Sequence, residues 1–381
     1  MKSKKLTLMS IGLLLLVVSC GSEATLSSVD PQLLKEAVTA LNEVEHKEGE
    51  VITPDYFNYI NEVNEVRGDN YLTLDSRQEV LPAGGYDINE NLPDVLDEIP
   101  NYARVIMPGS KASSEEDIVY KPKDFSSKQG RYRLKLEYSI PTTFASSPLI
   151  QIKINNTLPF VEAETMTLPM LFEDNVQYDE NGKKIFLQTQ YDDQMSPNQK
   201  RFEKFQNEGL YDSTFFTSES LVFDIVGSEP VISITNLSDA LFYVGKLTLE
   251  PVVETASYAQ YYASNPSSKG NDDLELNAID YSYKNTNSAT LANEQSPAVT
   301  PYEDGRKLLN VTSGWSSSGQ SITWEFDVKS AGYYPLTLHY YNGNDNFPIY
   351  RKFEVNVKVT FKEVENYEFP TTGTGYKNKT V

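Results

Sequence analysis

The chain has 381 residues, a formal net charge of −21 and one cysteine, Cys20. A lone cysteine excludes an intramolecular disulfide, and so strong an acidity argues against binding to nucleic acid or docking on an anionic membrane by charge. The length suits two domains with flanking segments, and the 25 tyrosines and 17 phenylalanines suit β-sheets with one wet face.

Lys2, Lys4 and Lys5 make a basic start, followed by an apolar run over 6–18 that is short for a membrane span. Val17-Val18-Ser19-Cys20-Gly21 resembles a bacterial lipobox, whose cysteine is lipidated and becomes the new N-terminus. The resemblance implies a lipoprotein signal peptide over 1–19 and a lipid anchor at Cys20. It also implies a place on the extracytoplasmic face of a bacterial cell membrane. An ordinary secretory signal with a cysteine near its cut is the alternative. Residues 20–49 read as a tether and a short helix. Asp30-Pro31 is an N-cap followed by proline, and Leu34, Val38, Leu41 and Val44 fall at helical spacing.

A first β-sandwich is expected over 50–252. Its strands are predicted at 71–74, 103–107, 129–140, 149–155, 221–226, 231–236 and 241–249, with a short helix opened by Ser196-Pro197. A linker is expected over 253–273 and a second sandwich over 274–381. Within the second, Ile322, Trp324, Phe326 and Val328 alternate with polar residues, so one face of that strand is dry. A Gly-containing turn over 329–332 and a further alternation, Tyr334, Leu336, Leu338 and Tyr340, complete a predicted hairpin.

The two halves share a pattern. Gly130, Tyr132, Leu134, Leu136 and Tyr138 match Gly332, Tyr334, Leu336, Leu338 and Tyr340. Phe160, Glu162, Glu164 and Pro169 recur as Phe361, Glu363, Glu365 and Pro370, and Asn155 as Asn356. Upstream, Asp55-Tyr56 is matched with Asp280-Tyr281. So many coincidences mark an internal repeat. The first copy runs on for many residues after Pro169 and the second for few after Pro370, so the second sandwich is expected to lack its closing strands.

This pattern resembles the galactose-binding-like β-sandwich modules of bacterial extracellular solute-binding lipoproteins that serve carbohydrate ABC transporters. The residues that carry it are Gly314-Trp315, the stretch 319–328, Ala331 to Tyr334, Tyr350-Arg351, Phe361 and Phe369-Pro370, with Gly130 to Tyr132, Pro159 to Glu162 and Leu221 to Phe223 in the first copy. The resemblance implies a mainly β fold of two tandem jelly-roll sandwiches, a glycan ligand and an ABC transporter permease as partner. The solute-binding domain that follows the modules in that family is missing here, and so is the early glutamate pair that holds structural calcium in related modules.

Trp315, Tyr333, Tyr340 and Tyr341 are the candidate glycan-stacking residues, because an aromatic face complements the C–H face of a sugar ring. Asn342, Asn344 and Asp345 are the candidate polar contacts. Trp315 reads better as a cover over one end of the core than as a ligand contact. The two histidines are far apart, and the Asn342–Asn346 loop lacks the spacing and terminal glutamate of a calcium loop, so no metal or cofactor is expected. The remaining catalytic chemistry is Glu162/Glu164 and Glu363/Glu365, which in a strand would share a face about 7 Å apart. Acidic residues are common throughout the chain, and no enzymatic activity is expected. The function read from the sequence is a lipid-anchored surface protein that binds carbohydrate; a structural or adhesive lipoprotein without a small ligand is the alternative.

Overall fold

The long alternating run of the first repeat becomes a ten-residue strand because every second side chain has an apolar layer to enter. In a computed structural model, which describes residues 52–88, 99–108, 117–217, 219–344 and 346–381, this strand is Gly130–Ser139. Tyr132, Leu134, Leu136 and Tyr138 on one of its faces are fully buried. The signal peptide, Cys20 and the helix expected over 31–45 lie outside the described residues. Residues 53–381 form one unit.

The fold is mainly β, in several sheets. The strands of the first repeat are β1 (Gln78–Val80), β2 (Tyr86–Asp87), β3 (Arg104–Ile106), β4 (Ile118–Tyr120), β5 (Gly130–Ser139), β6 (Leu149–Ile154), β7 (Met166–Thr167) and β8 (Leu171–Asp174). They continue with β9 (Gln177–Tyr178), β10 (Lys184–Ile185), β11 (Gln199–Phe202), β12 (Gln206–Gly209), β13 (Val222–Ile225), β14 (Ile232–Asn236) and β15 (Phe242–Pro251). One sheet has the order β12-β5-β15-β3-β2, with β13 also on β5 and β1 on β15. A second has the order β4-β14-β6-β7. Their inward faces share one apolar core: Ile150, Ile152, Ile232 and Ile234 from one sheet, Leu134, Leu136, Val244 and Leu247 from the other. Tyr120 bridges the layers by donating to the Gly245 carbonyl, 2.8 Å, where a bulge breaks the β15 register.

The first repeat opens with helix α1 (Tyr56–Arg67), which sequence reasoning did not anticipate because only Tyr56 and Val63 are buried while Phe57 and Val66 face outward. The Asp55 carboxylate caps it, accepting from Asn58 N at 2.9 Å. Residues 71–74, expected as a strand, instead lead into a 3₁₀ turn, Leu74–Ser76. The segment opened by Ser196-Pro197 is not a helix; it runs into β11, which pairs with β8.

The second repeat is a thinner copy. Its elements are α2 (Tyr258–Ser264), β16 (Tyr283–Lys284), β17 (Thr290–Asn293), β18 (Leu309–Ser313), β19 (Ile322–Thr323), β20 (Thr337–Tyr340), β21 (Ile349–Arg351), β22 (Tyr367–Phe369) and β23 (Lys377–Thr380). The expected hairpin is absent. The stretch around Trp324 pairs only through β19, with β16, while β20 pairs with β23.

Local geometry repeats with fidelity. Tyr56 N donates to Glu162 Oε2 and Tyr258 N to Glu363 Oε2, both at 2.8 Å. Val161 N donates to Pro54 O and Lys362 N to Ala256 O, both at 2.9 Å. Tyr138 OH donates to Pro169 O at 2.9 Å and Tyr340 OH to Pro370 O at 3.0 Å. Left-handed residues Asn155 and Asn156 recur as Asn356 and Val357. The register recurs as well: Gln206 faces Tyr138 on β12–β5 as Lys377 faces Tyr340 on β23–β20.

These matches revise the sequence reading in three places. The counterpart of Asp55-Tyr56 is Ser257-Tyr258, not Asp280-Tyr281. The stretch 253–273, expected as a linker, therefore holds the capped opening helix of the second repeat, and that repeat starts before residue 274. One strand after Pro370, β23, does have a counterpart, β12. Glu162, Glu164 and Glu363 lie on 3₁₀ turns, Val161–Glu164 and Lys362–Val364, with Glu365 just after the second, rather than on strands, and one member of each pair ties down a helix N-terminus.

A buried polar cluster joins segment 174–199 to segment 279–289. Asp174 is 1% exposed and accepts from Tyr281 OH at 2.5 Å, Gln199 Nε2 at 2.6 Å and Lys184 Nζ at 2.8 Å. Lys184 also donates to the carbonyls of Ile279 and Tyr281. Lys284, with no exposed surface, donates to Tyr281 OH at 2.8 Å and to the Ala289 carbonyl. Burial pushes the Lys284 ammonium down to about 8, with Asp174 opposing the shift.

Candidate functional site: a cleft beside the first helix

A cleft lies where α1 crosses the outer side of β5 and β13. Its volume is about 320 Å³. Tyr59 OH accepts from Asp224 N at 2.7 Å and Tyr56 OH from Val222 N at 3.0 Å, so two phenols hold the helix against β13. Arg67 adds a two-pronged pair with Asp224, 2.8 and 3.0 Å. Burial raises both phenol pKa values, so these hydroxyls stay protonated.

Period-two alternation sends Arg131 and Arg133 of β5 outward while Tyr132 and Leu134 enter the core. Arg131 donates to Asn64 Oδ1 at 2.7 Å and to Gly68 O at 3.0 Å, and its guanidinium lies 4.5 Å from the Tyr71 ring centre. Arg133 donates to the Ser220 carbonyl and pairs with Glu219. The cleft is lined by the rings and aliphatic carbon of Tyr56, Tyr71, Ile60 and Val252 together with Asn64, Thr217, Glu219 and the two guanidinia. Apolar ring faces beside hydrogen-bonding groups suit a small polyol or a sugar.

The residues singled out from the sequence lie elsewhere and in separate groups. Trp315 donates to Gln320 O at 2.9 Å and carries the Arg351 guanidinium over its ring at 4.6 Å. Tyr333 packs on α2, 4.8 Å from Tyr262, and donates to Asn265 O. Tyr340 lies against Phe369 at 4.8 Å, and Tyr341, half exposed, against Tyr376 at 5.5 Å. Among the described residues no ring contact joins Trp315 to any of the three tyrosines. Asn342 is buried; its amide donates to the Phe347 and Phe369 carbonyls, and its Oδ1 accepts from Asn344 N at 3.1 Å. Asn342 therefore closes a turn. Asp345 lies outside the described residues. Among those residues no group of three or more His, Cys, Asp or Glu is placed to hold a metal ion, and no helix is long and apolar enough to cross a membrane.

Sequence reasoning missed the cleft because its lining comes from α1, the loop after it, β5, the approach to β13 and the end of β15. The one local signal is Arg131-Tyr132-Arg133, which puts two guanidinia on the face of the strand that points away from the core.

No family model and no curated protein matches the chain. Similar solved structures are catalytic domains of GH87 alpha-1,3-glucanase in complex with nigerose, at TM-scores of 0.23 and 0.22, and with tetrasaccharides, at 0.22. Identity is 11%, and the matches cover 54% of this chain and 32% of those chains. The chain thus spans about a third of their length. The expectation of no enzymatic activity is withdrawn on this finding, since the matched structures are catalytic domains. At such TM-scores the likeness supplies neither a fold nor a reaction.

Proposed function

We propose that the chain is a lipid-anchored cell-surface binding protein that holds carbohydrate in the cleft beside α1. The observation that carries the reading is the lining, which brings two tyrosine rings and aliphatic carbon together with amide, hydroxyl, carboxylate and guanidinium groups. In this reading Cys20 carries the lipid, and the chain sits on the extracytoplasmic face of a bacterial membrane. The architecture is two tandem galactose-binding-like jelly-roll sandwiches, the second incomplete. The family resemblance adds an ABC transporter permease as partner.

Retention on immobilised glycans tests the cleft. Tyr71 is 48% exposed, so Tyr71→Ala removes a stacking face without opening the core. It should weaken retention about tenfold, equivalent to about 1.4 kcal/mol, and leave the melting temperature nearly unchanged. Unchanged affinity in the variant would remove the cleft from the reading, and no retention of any glycan by the wild-type protein would remove the function. The anchor has its own test. Cys20→Ala should move the protein from the membrane fraction to the soluble one; a variant that still sediments with membranes sinks the lipidation.

A further inference from the structure

The cleft beside α1 carries an excess of positive charge in a chain whose acidic residues outnumber its basic ones, 54 to 33. Its charged lining is Arg131, Arg133 and Glu219. Glu219 pairs with Arg133, so Arg131 is left over. The charges next to the cleft are already matched. Arg67 pairs with Asp224, and the Glu162 carboxylate accepts from Tyr56 N at the start of α1.

Arg131 is 6% exposed, and among the described residues all its hydrogen-bond partners are neutral. They are Asn64 Oδ1 at 2.7 Å, the Gly68 carbonyl at 3.0 Å and the Asn70 carbonyl at 3.5 Å. No carboxylate forms an ion pair with it there. A buried charge is costly unless it is paired, and neutral acceptors offset only part of that cost. A bound anion would supply the missing counter-ion. The fork of donors on a guanidinium matches a carboxylate in shape as well as charge, and neither Arg131 nor Arg133 uses its Nε–H in the bonds described. Tyr71 lies beside the same group. The Arg131 guanidinium sits 4.5 Å from its ring centre, yet the residue is still 48% exposed.

Resting on the reading of this cleft as a carbohydrate site, we propose that its ligand is an acidic sugar. The sugar ring packs on Tyr71, and its carboxylate, as in a uronic acid, meets Arg131 and Arg133. A neutral sugar would fill the same space and leave Arg131 without a counter-ion. The net charge of −21 sharpens the selection, because it opposes non-specific retention of anionic polymers. Only a contact well inside the screening length of roughly 8 Å at physiological salt feels the local excess of positive charge.

The test is a panel of uronic-acid oligosaccharides, each beside its own carboxyl-reduced form, titrated into the full chain. The best acidic member should bind about tenfold more tightly than its reduced form, and added salt should shrink that ratio. Glu219→Gln removes the carboxylate that competes for Arg133, so it should raise the ratio severalfold. Arg133→Gln should bring the ratio towards one. Arg131 is left in place because it clamps α1. Should Arg133→Gln fail to fold, the direction of the Glu219→Gln change decides alone. Equal or tighter binding of the reduced forms overturns the inference and leaves the carbohydrate reading standing. A ratio that Glu219→Gln lowers or leaves unmoved overturns it too, since the carboxylate is then held elsewhere. Binding of neither form, with no retention of any neutral glycan, removes the carbohydrate reading itself and the inference with it.

Discussion

Asp174→Ala is expected to cost about 3–5 kcal/mol, read as a fall in the denaturation midpoint, because it leaves two buried ammonium groups without their counter-ion. Asp174 is 1% exposed, and its carboxylate accepts from Tyr281, Gln199 and Lys184. Lys284→Met should behave oppositely. It removes the cation that burial already disfavours and keeps the Asp174–Lys184 pair at 2.8 Å. The pH dependence carries the sign. Lys284 loses its proton near pH 8 when folded and near 10.5 when unfolded, so between those values the unfolded chain binds more protons and stability rises with pH. The contribution is lost as pH falls through about 8. Tyr281 faces the same cluster with its phenol pKa raised by burial and by Asp174, so above about pH 10 its term runs the other way. The clean window is therefore about 8 to 10. Wild-type stability should climb there relative to Lys284→Met. A flat difference between the two would mean that Lys284 is not held as an excess buried charge, and an Asp174→Ala cost below about 1 kcal/mol would mean that water reaches the cluster.

Legibility followed burial. Strands β5 and β6 stood out in the sequence because alternation marks their core positions, and β13, β14 and β15 because they are apolar runs buried at nearly every position. The same alternation over 321–328 predicted a strand just as firmly, yet only Ile322–Thr323 joins a ladder. The apolar pattern records what a strand would bury; it does not supply the neighbour. Helix α1 was illegible for the opposite reason. Tyr56 and Val63 are its buried residues, too few to print a helical period, and what fixes it is remote: Glu162 on its first amide and Asp224 on Tyr59 and Arg67. The repeat itself was legible downstream of Gly130, where side chains on strands and 3₁₀ turns are shared. It was misaligned upstream, where Asp55 and Ser257 perform one capping role with different residues. As for the site, rings in a Gly/Ser-rich loop drew attention to Trp315. The cleft is assembled from segments remote in sequence, and no spacing rule reports that.

Leu136→Ala and Leu338→Ala should differ severalfold in cost, although the two residues hold the same place in the repeat. Leu136 is fully buried on β5, between β12 and β15, and its side chain sits among those of both sheets. Truncation there removes the transfer energy of the side chain and leaves a cavity that flanking strands cannot close, about 2–5 kcal/mol. Leu338 lies on β20, which among the described residues has a strand on one side only, and it is partly exposed. Water already reaches it and no closed cavity forms, so the cost should be about 1 kcal/mol or less. Denaturant midpoints at constant slope measure both. Equal costs would show that the second core is closed in solution, with a neighbour along the free edge of β20. A difference of the expected size places the stability of residues 53–381 mainly in the first sandwich. The apolar residues of the second repeat then contribute little to that stability.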